Sequence, residues 1–462
     1  MSANAPNHSA PSRQLTLFDS ICIIAGIVIG AGIYETTPEI ASRVTTLPSL
    51  MSVWVLGGLI SLAGALCYVE LATGNPEEGG DYIYLTRAYG RHVGFLFAWA
   101  EFWIVRPGAV GMMSFVFARF AHELFQDTLL STGDKGSDFV VYAASTIVMI
   151  TILNVLGVRT GKTTQNVLTV FKVVGLSLIV LVAMFAPTHE VPTIVLSESR
   201  DPDFRLALIL VLFTYGGWND ICFVAAEVKD PQRNIFRSLA LGVGLIIAIY
   251  LLFNLALVRA VGLEGLGQPT VVVDFMGTRF GDLGRGAISL LICLSCLGAI
   301  NGTLFAGSRI YYAVGTEHRF IAWLGNWSGK FDSPARALIL QGTTAFFWVV
   351  AFGIQAGGEA GFLRLLAFTS PVFWTFAILV SLSVFVLRYR YPDLPRPHKV
   401  VLFPVTPIVF CLSCIFMLHA AITYAQFLQS QHAGMSPEAI ATACVLIAGT
   451  AISFLEARTS AS

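Results

Sequence analysis

Two stretches of this sequence and one lone lysine carry groups suited to holding a small charged molecule. In "IVIGAGIYETTPEI" (residues 27–40), Gly30, Ala31 and Gly32 interrupt an apolar run, and Glu35 follows three residues after Gly32. In "LFTYGGWNDICFVAAEV" (residues 212–228), Gly216 and Gly217 do the same, with Asp220 three residues beyond and Glu227 near the end. Between these stretches, Lys172 stands inside another apolar run. A helix broken at membrane depth exposes amides at the start of its second half and carbonyls at the end of its first. The amides attract an anion and the carbonyls a cation, so a zwitterion satisfies both. Glycines that only let helices approach closely are the plainer alternative for either pair alone. Corresponding breaks in two spans, each beside polar residues, favour a site.

The charges near these breaks have more than one reading. An ammonium at Lys172 is costly unless it is paired, lines water, or snorkels to an interface. Glu35 and Asp220 could each pair with a cation, titrate, or sit hydrated in a vestibule. Glu101 and Arg106 are five residues apart, which keeps them off one helical stripe, so Pro107 is expected to kink the helix while Arg106 finds carbonyls or a carboxylate elsewhere. Glu227 and Lys229 end the sixth run beside Arg309, as an inner gate, a loop clamp or solvated charge.

Helices must position these groups. The chain has 462 residues, 55% hydrophobic and 12% charged, with a mean hydropathy of +0.74. That composition specifies an all-α polytopic membrane protein, and about a dozen apolar runs reach the roughly 20 residues a bilayer needs. The first, residues 17–46, reads as a retained broken helix and not as a cleaved signal. Lys and Arg concentrate in the loops that share a side with the N-terminus. This puts both termini in the cytoplasm and makes the span number even, read as twelve transmembrane helices in a cell membrane. The sixth run opens a second group of five, and an odd group size inverts it, as in an inverted repeat. The divisions are a cytoplasmic tail 1–16, a first five-helix repeat 17–187, a second 204–390, helices eleven and twelve in 400–456, and a cytoplasmic tail 457–462.

Other chemistry finds little support. The balanced formal charge argues against nucleic acid. The eight histidines have no HExxH spacing and no GxSxG elbow occurs, so no enzyme, metal or cofactor is expected. Cys293/Cys296 and Cys411/Cys414 form CxxC pairs in apolar runs, where small thiols fill space.

The chain resembles the amino acid–polyamine–organocation superfamily, and within it the L-type amino acid transporter family. The resemblance rests on "GAGIY", "GGDYIYL", "WAEFWIVRPGAV", "NVLGVRTGKTTQNVLTVFKVVGLSLIV", "FTYGGWN" with "EVKDPQRNI", "LGAINGTLFAGSRIYYAVGTEHRF" and "RYRYPDLPRPHKV", in that order over nearly the whole chain. It implies a LeuT-like 5+5 inverted repeat with broken first and sixth helices plus two further helices. The implied function is secondary transport of amino acids by alternating access, as permease or exchanger. Carried over, Gly30, Ala31 and Gly32, with Ile33, offer amides to a substrate carboxylate. Phe213, Thr214 and Tyr215, with Gly216, turn carbonyls to its ammonium. Phe213 is the gating aromatic, Trp218 and Asn219 supply pocket and hydrogen-bonding groups, and Phe373 and Trp374 match aromatics that line the pocket in relatives. Lys172 takes the place of a cation in sodium-coupled relatives, making transport sodium-independent, and a proton on it could take part in coupling. Glu35, Asp220 and Glu227 are the remaining coupling or gating candidates.

The sequence departs from the family at three points. Ala31 replaces a small hydroxyl residue, Glu35 an apolar one, and Ala226 the first acid of a double-acid sequence, leaving Glu227 alone. The loop 126–138 has no cysteine, whereas relatives that join a glycoprotein heavy chain use one there, so no disulfide-linked partner is expected. A cationic amino acid or polyamine antiporter is the alternative within the class, suggested by Glu35 and Asp220. A non-transporting sensor or a channel is the alternative outside it.

Overall fold

The computed structural model describes residues 12–125, 134–187, 203–268, 270–430 and 437–461. Regular structure among them is helical, apart from isolated bridges at Leu15–Val228 and Ser328–Ser333. The helices are α1 (Leu17–Val28), α2 (Gly32–Ser42), α3 (Leu47–Gly74), α4 (Asp81–Tyr89), α5 (Arg91–Ala100), α6 (Arg106–Phe125), α7 (Lys135–Val155), α8 (Val158–Phe185), α9 (Phe204–Thr214), α10 (Pro231–Leu266), α11 (Val271–Glu317), α12 (Ala335–Arg390), α13 (Val405–Ser430) and α14 (Pro437–Ala461). Among the described residues ten helical stretches are long and apolar enough to cross a membrane, and α1 with α2, bent by 47°, makes an eleventh. α12 carries two of the ten, Ala335–Ile354 and Gly361–Arg390, and Ala439–Leu455 is a shorter apolar helix. The chain is a polytopic membrane protein. Residues 126–133 of the loop expected to lack a linking cysteine lie outside the described residues.

Each break has a local cause. α1 starts on a capping box in which the Thr16 hydroxyl accepts from the Asp19 amide at 3.2 Å and the Asp19 carboxylate accepts from the Thr16 amide at 2.8 Å. It ends at Ile29, whose φ of −77° and ψ of 69° make a tight turn closed by Gly30 N–H to Val28 O at 2.8 Å. The second break turns on Gly217, with φ of 105°, a left-handed conformation glycine adopts without strain. A Cβ there would also lie 2.7 Å from Ile27 Cγ2. Beyond it the chain winds as a 3-10 helix over Trp218–Glu227.

The breaks are held together by close packing. Gly32 faces Thr214, and the Thr36 and Thr214 hydroxyls bond at 2.7 Å. A Cβ on Gly302 would stand 2.3 Å from Ile27 Cγ1, and one on Gly26 would stand 2.0 Å from Gln165 Nε2. Small residues therefore bring α11 and α8 against α1. Along this seam α8 donates to α1 and the segment before it, from Lys162 to Gln14 O at 3.0 Å, Gln165 and Thr169 to Cys22 O at 3.3 and 2.9 Å, and Lys172 to Gly26 O at 2.5 Å. A three-to-four residue spacing puts these donors on one face of α8.

Candidate functional site

The two breaks meet on a cavity of about 190 Å³. Gly30, Gly32, Phe213, Thr214, Gly216, Asn219 and Asp220 line it, joined by Thr303, Phe373 and Trp374. The volume is below the roughly 300–1,000 Å³ of pockets for drug-sized ligands and suits a small metabolite. Glu35 N–H and Tyr34 N–H both bond to Ala31 O, at 3.1 and 3.0 Å, so Ala31 caps α2 and leaves the first-turn amides of Gly32 and Ile33 without an intrahelical acceptor. The Gly30 amide is already taken by Val28 O, which also accepts from Tyr250 at 3.0 Å. Of the four residues expected to offer amides, Ala31, Gly32 and Ile33 keep theirs open and Gly30 does not. The side chains of Ala31 and Ile33 are buried away from the cavity.

The acceptor end shows a similar distinction. The Phe213 carbonyl receives the Gly216 amide at 3.1 Å, and Val211 receives that of Tyr215 at 3.0 Å. Leu212, Thr214 and Tyr215 therefore hold the end-of-helix carbonyls with no intrahelical donor. The Tyr215 side chain turns the other way, donating to Trp54 O at 3.3 Å among Trp54 and Tyr250. Trp218 lines an adjoining space of about 50 Å³ with Tyr68 and Phe410, and Asn219 borders both spaces. Lys172 does not line the cavity. Fully buried behind α1, it reaches the site through the Gly26 carbonyl, against Gly298, whose Cβ would lie 2.6 Å from its Nζ.

The expectation for Glu101 and Arg106 needs correction. Five residues separate them, but Glu101–Val105 winds as one π-helical turn, in which i and i+5 stack, and Arg106 Nε meets Glu101 Oε2 at 2.6 Å. The same guanidinium grips Asp220 with two bonds of 2.6 and 3.0 Å. Arg106 lines the cavity as well, so a residue read as structural belongs to the site. Its sequence signal is Pro107, which lacks the N–H that would bond to Trp103 O, and that carbonyl accepts instead from Trp348 Nε1 at 2.8 Å. Asp220 is consequently a buried partner of arginine and not a hydrated charge.

A larger space of about 660 Å³ lies on the side away from the N-terminus, bordered by Glu35, Glu39 and Arg119. It shares Phe213, Ser370 and Trp374 with the inner cavity, so these side chains form the partition. Glu35 pairs with Arg119. The N-terminal side is sealed. Arg309 holds Glu227 at 2.7 and 3.2 Å with both residues buried, the Gln14 and Leu15 amides bond to Glu227 O at 2.9 Å, and Lys229 N–H bonds to Leu15 O at 2.9 Å. Glu227 is thus a buried clamp, which excludes a solvated loop charge.

A profile of the amino acid permease family matches residues 15–450. Among curated relatives, the b(0,+)-type amino acid transporter 1 of Mus musculus is 29% identical over 417 residues, 89% of this chain and 82% of that protein. Its Homo sapiens counterpart is 28% identical over 433 residues, 90% and 84% of the two chains. The large neutral amino acids transporter small subunit 2 of Homo sapiens is 26% identical over 417 residues, 88% of this chain and 76% of that one. With paired helix breaks on one small cavity, the chain belongs to the amino acid permease family, as an L-type-like member of the amino acid–polyamine–organocation superfamily.

Proposed function

We propose that this chain is a secondary amino acid transporter, a sodium-independent permease or exchanger working by alternating access, and not an enzyme. The observation that carries the reading is that Gly32 of α2, whose amide is open, and Thr214 of α9, whose carbonyl is open, border one small cavity. A substrate carboxylate binds at Ala31, Gly32 and Ile33, and its ammonium at Thr214 and Tyr215, helped by the Asn219 side chain. Phe213 and Trp374 gate the outer side, and Glu227 with Arg309 the inner. In this reading the fold is a LeuT-like 5+5 repeat of residues 17–187 and 204–390 with two further helices, twelve in all. Both termini are cytoplasmic, the membrane is the cell membrane, and the vestibule faces out. The relative's name describes a small subunit; the cysteine-free sequence 126–138 supports operation of this chain without a disulfide-linked partner.

Reconstituted protein should show saturable counterflow with at least one of labelled leucine, alanine or lysine, unchanged when sodium is replaced by choline. Binding without counterflow would favour a sensor, and a steep sodium dependence would contradict the role given to Lys172. The cationic alternative loses support from the pairing of Glu35 with Arg119 and of Asp220 with Arg106, since each acid already faces a guanidinium. Glu35→Gln is therefore expected to change lysine and leucine uptake by the same factor; a selective loss of lysine uptake would restore that alternative.

A further inference from the structure

Glu78 is a buried acid that the transport site leaves unused. It lies in the loop between α3 and α4, 8% exposed, and neither carboxylate oxygen has a hydrogen-bond partner. The loop is fixed in place by Gly79 N–H to Phe223 O at 3.1 Å, which docks it on the 3-10 segment that ends in Glu227. The charged and titratable groups facing Glu78 are Glu227 from that segment, with Arg309 and Tyr312 from α11. Its neighbour Glu77 turns outward to Arg87. Four of the five N–H groups of Arg309 are engaged elsewhere: Nε and Nη2 bond to Glu227, and Nη1 bonds to Phe305 O at 2.6 Å and Ser308 Oγ at 3.0 Å. One guanidinium thus stands beside two carboxylates and serves one of them.

An ionised carboxylate buried without a partner is costly, and a protonated one far less so. Glu227 belongs to the broken-helix segment and Arg309 to α11, whose backbone is helical beyond its kink at Gly281. If opening of the N-terminal side withdraws Glu227, Arg309 keeps its charge and has Glu78 beside it. We propose that Glu78 is a proton-binding site that couples this gate to the proton gradient: it carries a proton while Glu227 holds Arg309, and releases it to the N-terminal face when Arg309 turns to it. The step breaks one carboxylic O–H bond, passes the proton to water, and leaves a carboxylate paired with an unchanged guanidinium. Coupling requires that the proton reach Glu78 from the vestibule side while Glu227 holds Arg309; released to the N-terminal face, it then moves in the same direction as the amino acid. Burial first, and then the Glu227 charge against the opposing pull of Arg309, pushes the Glu78 carboxyl well above the ordinary range. A raised folded-state value means the contribution of Glu78 to the closed form is fully present below the ordinary carboxylate range. It is lost as pH rises through the raised value.

The proposal rests on the transport reading above, and its test has two arms. In proteoliposomes, an inward proton gradient should drive the wild type to accumulate several-fold above equilibrium whichever of leucine, alanine or lysine gives the strongest counterflow. Glu78→Gln, which fixes the protonated shape, should keep counterflow within about twofold but only equilibrate the label. Accumulation by Glu78→Gln equal to the wild type, or no proton-driven accumulation by the wild type, overturns the proposal. In detergent, the melting temperature of the wild type should fall with rising pH from about pH 5 upward more steeply than that of Glu78→Gln or Glu78→Ser. Equal slopes overturn it too. Counterflow absent with every amino acid would defeat the transport reading instead, while the slopes would still test Glu78.

Discussion

Arg106→Met should lower the stability of the protein by about 3–5 kcal/mol, because it leaves the buried carboxylates of Glu101 and Asp220 with no cation between them. Arg106 contributes four close groups to this part of the molecule: its bond to Glu101, its two bonds to Asp220, and its stacking over Phe223 at 4.6 Å. Bidentate charge-assisted bonds of this kind are strong and directional. Removing one carboxylate is milder, since Glu101→Gln leaves Arg106 with Asp220, and the double variant Arg106→Met with Asp220→Asn should recover part of the loss. That non-additivity is expected of residues sharing one network. Melting temperatures in detergent for the wild type, these three variants and the single variant Asp220→Asn check the pattern. A single Arg106→Met variant within about 1 kcal/mol of the wild type would mean that water or rearrangement already satisfies the acids. Because Arg106 and Asp220 also line the cavity, uptake should fall in each single variant, and more than stability alone accounts for.

What the sequence revealed about this site followed from helix physics. Glycine pairs inside apolar runs mark places where the ladder of hydrogen bonds fails, and Gly30 to Gly32 and Gly216 to Gly217 are where the structure breaks. Gly298 and Gly302 form a tight seam against Lys172 and Ile27. What stayed hidden was the turn geometry within a helix. A five-residue spacing looks unproductive under 3.6 residues per turn, and only the π-helical turn at Glu101–Val105 stacks Glu101 on Arg106. Which amides and carbonyls remain open was hidden for the same reason: the tight turn at Ile29 uses the Gly30 amide, and the turn after α9 uses the Phe213 carbonyl. Side-chain direction was a further blind spot. Tyr215 and Trp218 flank the second break in sequence, but one packs into the α3–α10 core and the other beneath Gly64.

Lys172→Met should cut the initial rate of uptake by roughly 10- to 100-fold while leaving the protein folded. The ammonium donates to the Gly26 carbonyl in the last turn of α1, and among the described residues no ion pair with a carboxylate joins that bond. A cation at the C-terminal end of a helix is favoured by the dipole as well as by that bond. Losing a charge-assisted bond forfeits about 1.5–3 kcal/mol, which is roughly the stated rate factor if the bond holds α1 in its working position. The stability change is small because two effects oppose each other. The carbonyl left bare costs about 1–3 kcal/mol, and removing a buried unpaired charge returns a similar amount. Lys172→Arg should fare no better, since the site is closed by Gly298 at contact distance and a planar guanidinium does not fit where a compact ammonium does. Gly298→Ala supplies an independent route to the same defect: its Cβ would press on Lys172 Nζ and draw it off Gly26 without changing any charge. Matched uptake rates and melting temperatures for the three variants decide the point. A Lys172→Met protein transporting at the wild-type rate would remove Lys172 from the mechanism and leave it a packing residue.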